Sequence, residues 1–408
     1  MTGQKRILFV DDEPKILDGL RRMLRPMRRD WDMAFVESGP AALDLLAGET
    51  FEVVVTDMRM PGMDGGQLLR RVMEHYPQTI RIVLSGQADR EAILGVVGPI
   101  HQYLSKPCDA ETLKASLTRA CALGELLADE SLKQYISQLE TLPSLPSLYD
   151  EVVTELQSPT ASEKMLGQII SKDIGMSAKV LQLVSSAFFG IRSHIPHPAQ
   201  AVILLGLDTV KILGLSAQVF SRFTSVQAAD LPFPATFWSH SVNVARMAQQ
   251  IVKAEGAEQR LVDYAFIAGL LHDVGKLVLA TYSPQKYEQV LVQALKENIE
   301  VRAAEHRIFG PVSHAEVGAY LLGLWGLPEL ITNTILFHHS PEQYTHRGCL
   351  VLTAVHVANV LENSLLSTQA LSKSPELNLD YLARLGLASR LSEWQDLCLE
   401  TIQEAEIL

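Results

Sequence analysis

Up to about residue 122, short apolar runs alternate with amphipathic stretches. The runs are Ile7 to Val10, Met33 to Val36, Val53 to Thr56, Ile80 to Leu84 and Gln102 to Leu104. Each is short and mostly β-branched or apolar, as parallel strands covered on both faces are. The stretches between them have helical periodicity, the first opening at Pro14, a residue suited to a first helical turn. Five such strands alternating with helices predict an α/β unit, an open doubly wound parallel sheet of flavodoxin type. The stretch before the fifth strand contains Gly95, Gly98 and Pro99, which predict a short helix there.

From Ala110 to Glu140 the pattern predicts one long helix, with Leu113, Leu117, Cys121, Leu132, Ile136 and Leu139 at helical spacings. Thirty residues would span about 45 Å. Pro143 and Pro146 end it, because two prolines so close cannot continue a helix. Beyond Pro146 no strand pattern persists and an all-α region is expected. Its Ala228 to Pro234 segment reads as a loop between two helical lobes. A polar stretch from about Asn363 to Leu379 precedes terminal helices. The expected organisation is an α/β domain over 1–122, a linker helix over 123–140, a helical domain over 141–340 and a helical extension over 341–408. A chain of 408 residues exceeds one ordinary core.

Composition changes this picture in three ways. The formal net charge of -12 disfavours a nucleic-acid phosphate backbone as the main partner, though it leaves room for a local basic patch. The four cysteines, Cys108, Cys121, Cys349 and Cys398, share no CxxC spacing, so a reducing cytoplasm is expected, without a disulfide or zinc framework. The N-terminal apolar run is too short for a signal peptide, and no membrane span is expected.

Asp11 and Asp12 follow the first strand, Asp57 the third, Ser85 ends the fourth, and Lys106 follows the fifth. In a doubly wound sheet these strand ends open on one crevice. Three converging carboxylates repel one another unless a cation sits among them, and hard oxygen donors suit Mg²⁺. A carboxylate nucleophile, a divalent cation, an ammonium and a hydroxyl together are what phosphoryl transfer requires. Each feature alone is commonplace; their joint occurrence at four strand ends is not. The segments ILFVDDEP, VVVTDMRMPGMDG, IVLSGQAD and QYLSKP resemble the receiver domains of two-component response regulators over residues 4–122. The resemblance implies that Asp57 is the phosphoacceptor. It implies that Asp11, Asp12, Asp57 and the backbone carbonyl of Arg59 bind Mg²⁺. It further implies that Ser85 and Lys106 contact the phosphoryl group and that Tyr103 is the aromatic switch.

Ten of the twelve histidines lie beyond Pro146. His240 falls in FWSHSV, His272 and Asp273 in GLLHDVGKL, His314 in SHAEVG, and His338 and His339 in LFHHSP. A lone histidine is more often a core residue, but an imidazole and carboxylate set of this size suits a first-row metal such as Mn²⁺, Fe²⁺ or Ni²⁺. Gly275 permits close packing behind His272 and Asp273. The set resembles the HD superfamily of metal phosphohydrolases. Through LPSLPSLYDEVVTEL, IISKDIGMSAKVLQLVSSAFFG and AVILLGLDTVKILGL, residues 141 to about 340 look more like its HDOD relatives, output domains usually regarded as non-catalytic. Lys276 would then be a candidate phosphate contact. Two departures weigh against turnover: Asn359 stands where the superfamily has its last Asp ligand, and no Gly-Tyr-Pro motif follows the paired histidines.

The reading is a cytoplasmic response regulator, phosphorylated on Asp57 by a sensor histidine kinase and signalling through an HDOD interaction module. A degenerate HD domain leans away from an enzyme. The alternative is a phosphorylation-regulated, metal-dependent phosphohydrolase acting on a nucleotide or cyclic dinucleotide. DNA binding ranks last, since no basic recognition helix is evident. The expected partners are the kinase, a downstream signalling protein and, through the receiver or linker helix, a second copy of the chain.

Overall fold

A computed structural model describes residues 4–86, 98–158, 160–185, 195–207, 209–210, 221–222, 236–345, 348–366 and 373–407. Strands β1 (Lys5–Val10), β2 (Trp31–Val36), β3 (Val53–Asp57), β4 (Ile80–Ser85) and β5 (Gln102–Ser105) form one parallel sheet in the order β2-β1-β3-β4-β5. Every residue of β3 and β4 is buried, which is why their sequences are continuous rather than alternating. Helices α1 (Pro14–Met23), α2 (Gly39–Gly48) and α3 (Gly65–His75) connect the strands. Ser38 caps α2, and a capping box of Asp64 and Gln67 starts α3. Gly65 is required by close approach, because a Cβ there would lie 2.1 Å from the Asp57 carbonyl oxygen. The expected short helix around Gly95 falls outside the described residues apart from its end.

The expected continuous helix to Glu140 is two helices. Helix α4 (Ala110–Leu123) stops at Gly124, and α5 (Glu130–Ser137) starts afresh where the Asp129 carboxylate accepts hydrogen bonds from the amides of Ser131 and Leu132. Gly124 is a poor helix former and Asp129 a good cap. Leu127 between them is 1% exposed, so the break folds back onto the core instead of spanning a gap. The apolar spacing survived across the break because both helices bury a stripe.

Beyond it lie α6 (Pro146–Gln157), α7 (Glu163–Ile170), α8 (Ile174–Ser185), α9 (Pro198–Leu205), α10 (Thr236–Ala254), α11 (Gln259–Leu271), α12 (Val274–Tyr282), α13 (Pro284–Glu297), α14 (Val301–Ile308), α15 (His314–Leu324), α16 (Glu329–Phe337), α17 (Leu350–Leu366), α18 (Leu379–Arg384) and α19 (Leu391–Ile407). The expectation of no strand here needs one correction. Two-residue β6 (Pro143–Ser144) pairs with β7 (Ser221–Arg222), a contact too short to leave a periodic signal. The expected Ala228 to Pro234 loop lies outside the described residues. Gln259–Tyr282 has the length and hydropathy of a membrane-crossing helix, a run the sequence reading did not pick out, but 89% of its most apolar window is buried inside the fold.

The two regions share one hydrophobic core. The β4–β5 edge of the sheet docks on the helical part. Gln102 Nε2 donates to the Gly323 carbonyl at 3.2 Å, and a Cβ on Gly323 would meet Leu123 at 2.4 Å. Gln182 Nε2 donates to the carbonyls of Ile100 and His101, both at 3.3 Å. The Arg81 guanidinium is 1% exposed, and it donates to the carbonyls of Pro99, Pro77, Thr79 and Ser137. A buried charge persists only with such a set of acceptors; burial still lowers its pKa to about 9.

Candidate functional sites in the two regions

The first site sits at the carboxyl edge of the sheet. Register pairs Val10 with Thr56 and Asp57 with Leu84, which brings Asp11, Asp57, Ser85 and Lys106 to adjacent strand ends. Lys106 Nζ bridges Asp11 Oδ2, at 2.8 Å, and Asp57 Oδ1. The Arg59 amide donates to Asp57 Oδ2 at 2.8 Å, fixing the carboxylate, and the Glu13 amide donates to Asp11 Oδ1 at 3.0 Å. Burial pushes the Asp57 carboxyl upward against the pull of Lys106. Burial alone would lower Lys106, but its bonds to Asp11 and Asp57 outweigh that and raise it. Asp12 is half-buried beside them. Ser85 is fully buried, and its hydroxyl has no hydrogen-bond partner among the described residues. Tyr103 is 3% exposed, held within β5.

The second site is a histidine cluster. His272 caps the end of α11, Asp273 precedes α12, His314 opens α15, His338 and His339 follow α16, and His240 lies on α10. Ligand-type atoms of Asp273, His314, His338 and His339 lie within 4.8 Å of one another, as do those of His240, His272 and Asp273. Asp273 belongs to both groups. The two helices meet closely because Gly275 has no side chain: a Cβ there would lie 2.0 Å from the His314 carbonyl oxygen.

The ring nitrogens divide into outward and inward sets. His272 Nδ1 donates to the Gly269 carbonyl and His338 Nδ1 to the Ile335 carbonyl, each at 2.7 Å. His314 Nδ1 meets Glu305 Oε2 at 2.6 Å, and His240 Nδ1 meets Glu362 Oε2. With Nδ1 protonated on four rings, their Nε2 atoms present lone pairs inward. His240 and His272 Nε2 lie 3.2 Å apart, and His314 and His339 Nε2 2.9 Å apart. His338 Nε2 and Asp273 Oδ1 are buried without a hydrogen-bond partner among the described residues. The facing Nε2 atoms of His240 and His272 and the orphaned acceptors are what a cation satisfies, and outer acceptors that fix the tautomer are the usual support of metal-bound imidazoles. Burial lowers His272 to about 4 and holds His338 and His339 well below the ordinary value, so these rings are neutral and able to ligate. Burial would raise Asp273, but His272, Lys276, His314 and His240 hold it well below the usual carboxylate range.

Lys276 Nζ donates to Asp273 Oδ2 at 2.5 Å, so it lies at the cluster. Asn359 is buried, but its Oδ1 accepts from Asn363 Nδ2 at 3.0 Å, and none of its hydrogen bonds reaches the histidines. On α17 the carboxylate touching the cluster is Glu362, one turn later. Sequence reasoning missed Glu362 and Glu305. The one available signal for Glu362 was its standing at i+3 from Asn359 as the lone acid of its helix; Glu305 had none.

Residues 7–118 match the response regulator receiver domain family, and residues 142–341 match the HDOD domain family. The hydrogenase transcriptional regulatory protein HoxA of Cupriavidus necator is 39% identical over 106 residues, 26% of this chain and 21% of that protein. An uncharacterized protein of Treponema pallidum is 29% identical over 213 residues, 51% of this chain and 40% of that protein. The chain therefore spans less than half the length of these curated relatives. The receiver domain of an HD domain-containing protein from Pseudomonas fluorescens Pf-5 is 35% identical, with a TM-score of 0.28, covering 29% of this chain and 96% of that one. An HDOD domain protein from Geobacter sulfurreducens is 23% identical, with a TM-score of 0.37, covering 71% of this chain and 99% of that one. The chain is thus a response regulator in architecture, with an N-terminal receiver domain joined to a C-terminal HDOD domain.

Proposed function

We propose that Asp57 accepts a phosphoryl group from a sensor histidine kinase and that the HDOD domain responds as a signalling module built around a retained metal site. The observation that carries the first part is the Lys106 bridge between Asp11 and Asp57 at the sheet edge. Asp11, Asp12, Asp57 and the Arg59 carbonyl would hold Mg²⁺, which neutralises charge on the transferred group. Lys106 is placed to pair with a phosphoryl on Asp57, and the unpartnered Ser85 hydroxyl suits a phosphoryl oxygen.

The route outward runs along β5 to the helical domain. Tyr103 and Gln102 are neighbours on that strand, and Gln102 holds the Gly323 carbonyl near the end of α15. Helix α15 begins at His314. Helix α12, which begins beside Asp273, ends at Tyr282, whose ring packs 5.1 Å from that of Tyr135 on α5. Both helices therefore reach from the histidine cluster to the receiver and linker.

His240, His272, Asp273, His314, His338 and His339 fit one or two first-row ions, Mn²⁺, Fe²⁺ or Ni²⁺ by donor type, with Glu305 and Glu362 orienting two of the rings. Such an ion would supply a Lewis acid and an activated water. The inward Nε2 set thus keeps open the second reading, a metal-dependent phosphohydrolase with Lys276 as a phosphate contact. Turnover of a cyclic dinucleotide or nucleotide by the metal-loaded protein would establish that reading. The test of the principal one has two arms. Acetyl phosphate with Mg²⁺ should add one phosphoryl group, lost in Asp57→Asn. The purified protein should take up Mn²⁺, Fe²⁺ or Ni²⁺, and His272→Ala should not. Labelling of the Asp57→Asn variant refutes the first arm, and a metal-free wild type the second.

A further inference from the structure

We propose that the receiver domain carries a second ligand site, for a nucleoside polyphosphate, at the end of the sheet opposite Asp57. Five arginines fall within nine residues at the end of α1 and the turn that follows: Arg21, Arg22, Arg25, Arg28 and Arg29. All five are exposed. Arg21 is paired with Asp18 and lies over the Phe35 ring, 4.6 Å from its centroid. The other four have no carboxylate partner among the described residues. Unpaired like charges repel one another, and here they do so in a chain with abundant acid to spare, at a formal net charge of -12.

Arg21, Arg22, Arg25 and Arg28, with Gln4, Asp18 and Asp32, border an open depression of about 720 Å³, the size of a small-molecule site; its two carboxylates are already paired, Asp18 with Arg21 and Asp32 with Arg6. Arginines form one wall. Trp31, Met33 and Phe35 form the other, because alternate residues of β2 point to one face; Trp31 is 5% exposed, and the half-buried Met33 and Phe35 are the apolar surface left to a ligand. The basic wall is held in place. Gln4 Nε2 donates to the carbonyls of Arg28, at 3.2 Å, and Arg29, at 2.9 Å, tying the turn to the start of β1.

The pairing of forked guanidiniums with an apolar and aromatic wall fits a ligand that has multiply charged phosphate at one end and a flat ring at the other. A long nucleic acid fits poorly, since beyond this patch it would meet the acidic remainder of the chain. A protein partner fits poorly too, because among the described residues no fully exposed large apolar side chain borders the depression to anchor one. Asp57 ends β3 at the opposite edge of the sheet, so both sites can be filled together.

The experiment is calorimetric titration of the full chain with ATP, GTP and inorganic triphosphate at fixed ionic strength, on wild type and on Arg25→Ala/Arg28→Ala. Both substituted side chains are exposed, and labelling at Asp57 checks that the double variant is folded. A nucleotide should bind tighter than triphosphate, and the double variant should weaken it at least about tenfold. No binding at millimolar nucleotide overturns the proposal. So does binding that the double variant leaves unchanged, or an affinity for triphosphate equal to that for the nucleotides.

Discussion

Gly275→Ala is a one-methyl perturbation that separates the histidine cluster from the rest of the molecule. The added Cβ would lie 2.0 Å from the His314 carbonyl oxygen, 2.7 Å from its carbon and 2.8 Å from the Gly318 nitrogen. All three are backbone atoms, so no side chain can rotate away. A carbon–oxygen contact needs about 3.3 Å, so α12 and α15 must part locally by roughly 1.3 Å. Overpacking of this kind costs about 1–3 kcal/mol. The effect on the site should be larger than that on the fold, because metal–ligand distances tolerate only about 0.2 Å. Asp273 and His314 ride on the two helices being separated, and their ligand-type atoms are 3.3 Å apart. The expected result is a protein that folds with a lowered melting temperature, labels normally at Asp57 and has lost its metal. Elemental analysis after dialysis against micromolar Mn²⁺ or Ni²⁺ measures the last point. Metal content equal to wild type in a folded Gly275→Ala would refute the argument that contact between these helices sets the site.

Three further outcomes follow from the same geometry. Glu362→Ala removes the acceptor that orients His240, so metal affinity measured by chelator competition should fall about 10–100-fold; an unchanged affinity would make Glu362 a bystander. Asn359→Asp should leave affinity near wild type, since that side chain is engaged with Asn363, and marked tightening would show that position 359 reaches the ion. Lys179 is 1% exposed, donates to the Glu140 carbonyl at 2.6 Å, and is lowered by burial from 10.5 to about 7. Between about pH 7 and 10.5 the unfolded state then binds more protons than the native one. The penalty of burying this amine is therefore complete below pH 7 and relieved as pH rises, by about 1.4 kcal/mol per unit. In urea unfolding, the advantage of Lys179→Met should shrink by about 1–3 kcal/mol from pH 7 to pH 9; a pH-independent difference would contradict it.

The receiver sheet and its acidic edge were legible because buried parallel strands write themselves as short unbroken apolar runs, and because the candidate functional residues stand directly at the ends of those runs. Asp11, Asp57, Ser85 and Lys106 could be placed by counting from strand ends alone. The histidines were legible as a set, and Gly275 as the residue that lets their helices touch. What could not be read depends on separations that no local pattern encodes. Glu362 lies 122 positions from His240, and Arg81 sits 56 positions from the Ser137 carbonyl it serves. Arg81 is a charge inside an otherwise apolar strand, which marks it as odd without naming its partner. The linker misled for the opposite reason. The apolar spacing of α4 and α5 stays in phase across Gly124 to Asp129, so only the glycine and the capping aspartate announced the break.

The two helices that run from the histidine cluster, one to the receiver and one to the linker helix, have a thermodynamic consequence. A helix clamped at both ends cannot favour one arrangement at its start without favouring the corresponding one at its finish. If phosphorylation of Asp57 shifts α15 through Gln102 and Gly323 and so changes the affinity of the cluster for its ion by some factor, reciprocity requires that ion binding change the free energy of phosphorylation by the same factor. A threefold effect, about 0.65 kcal/mol, would be felt equally at both ends. The signal would then have no fixed direction. A cell short of the metal would hold a different fraction of this regulator phosphorylated at the same kinase activity, and the receiver would report on metal supply as well as on its kinase.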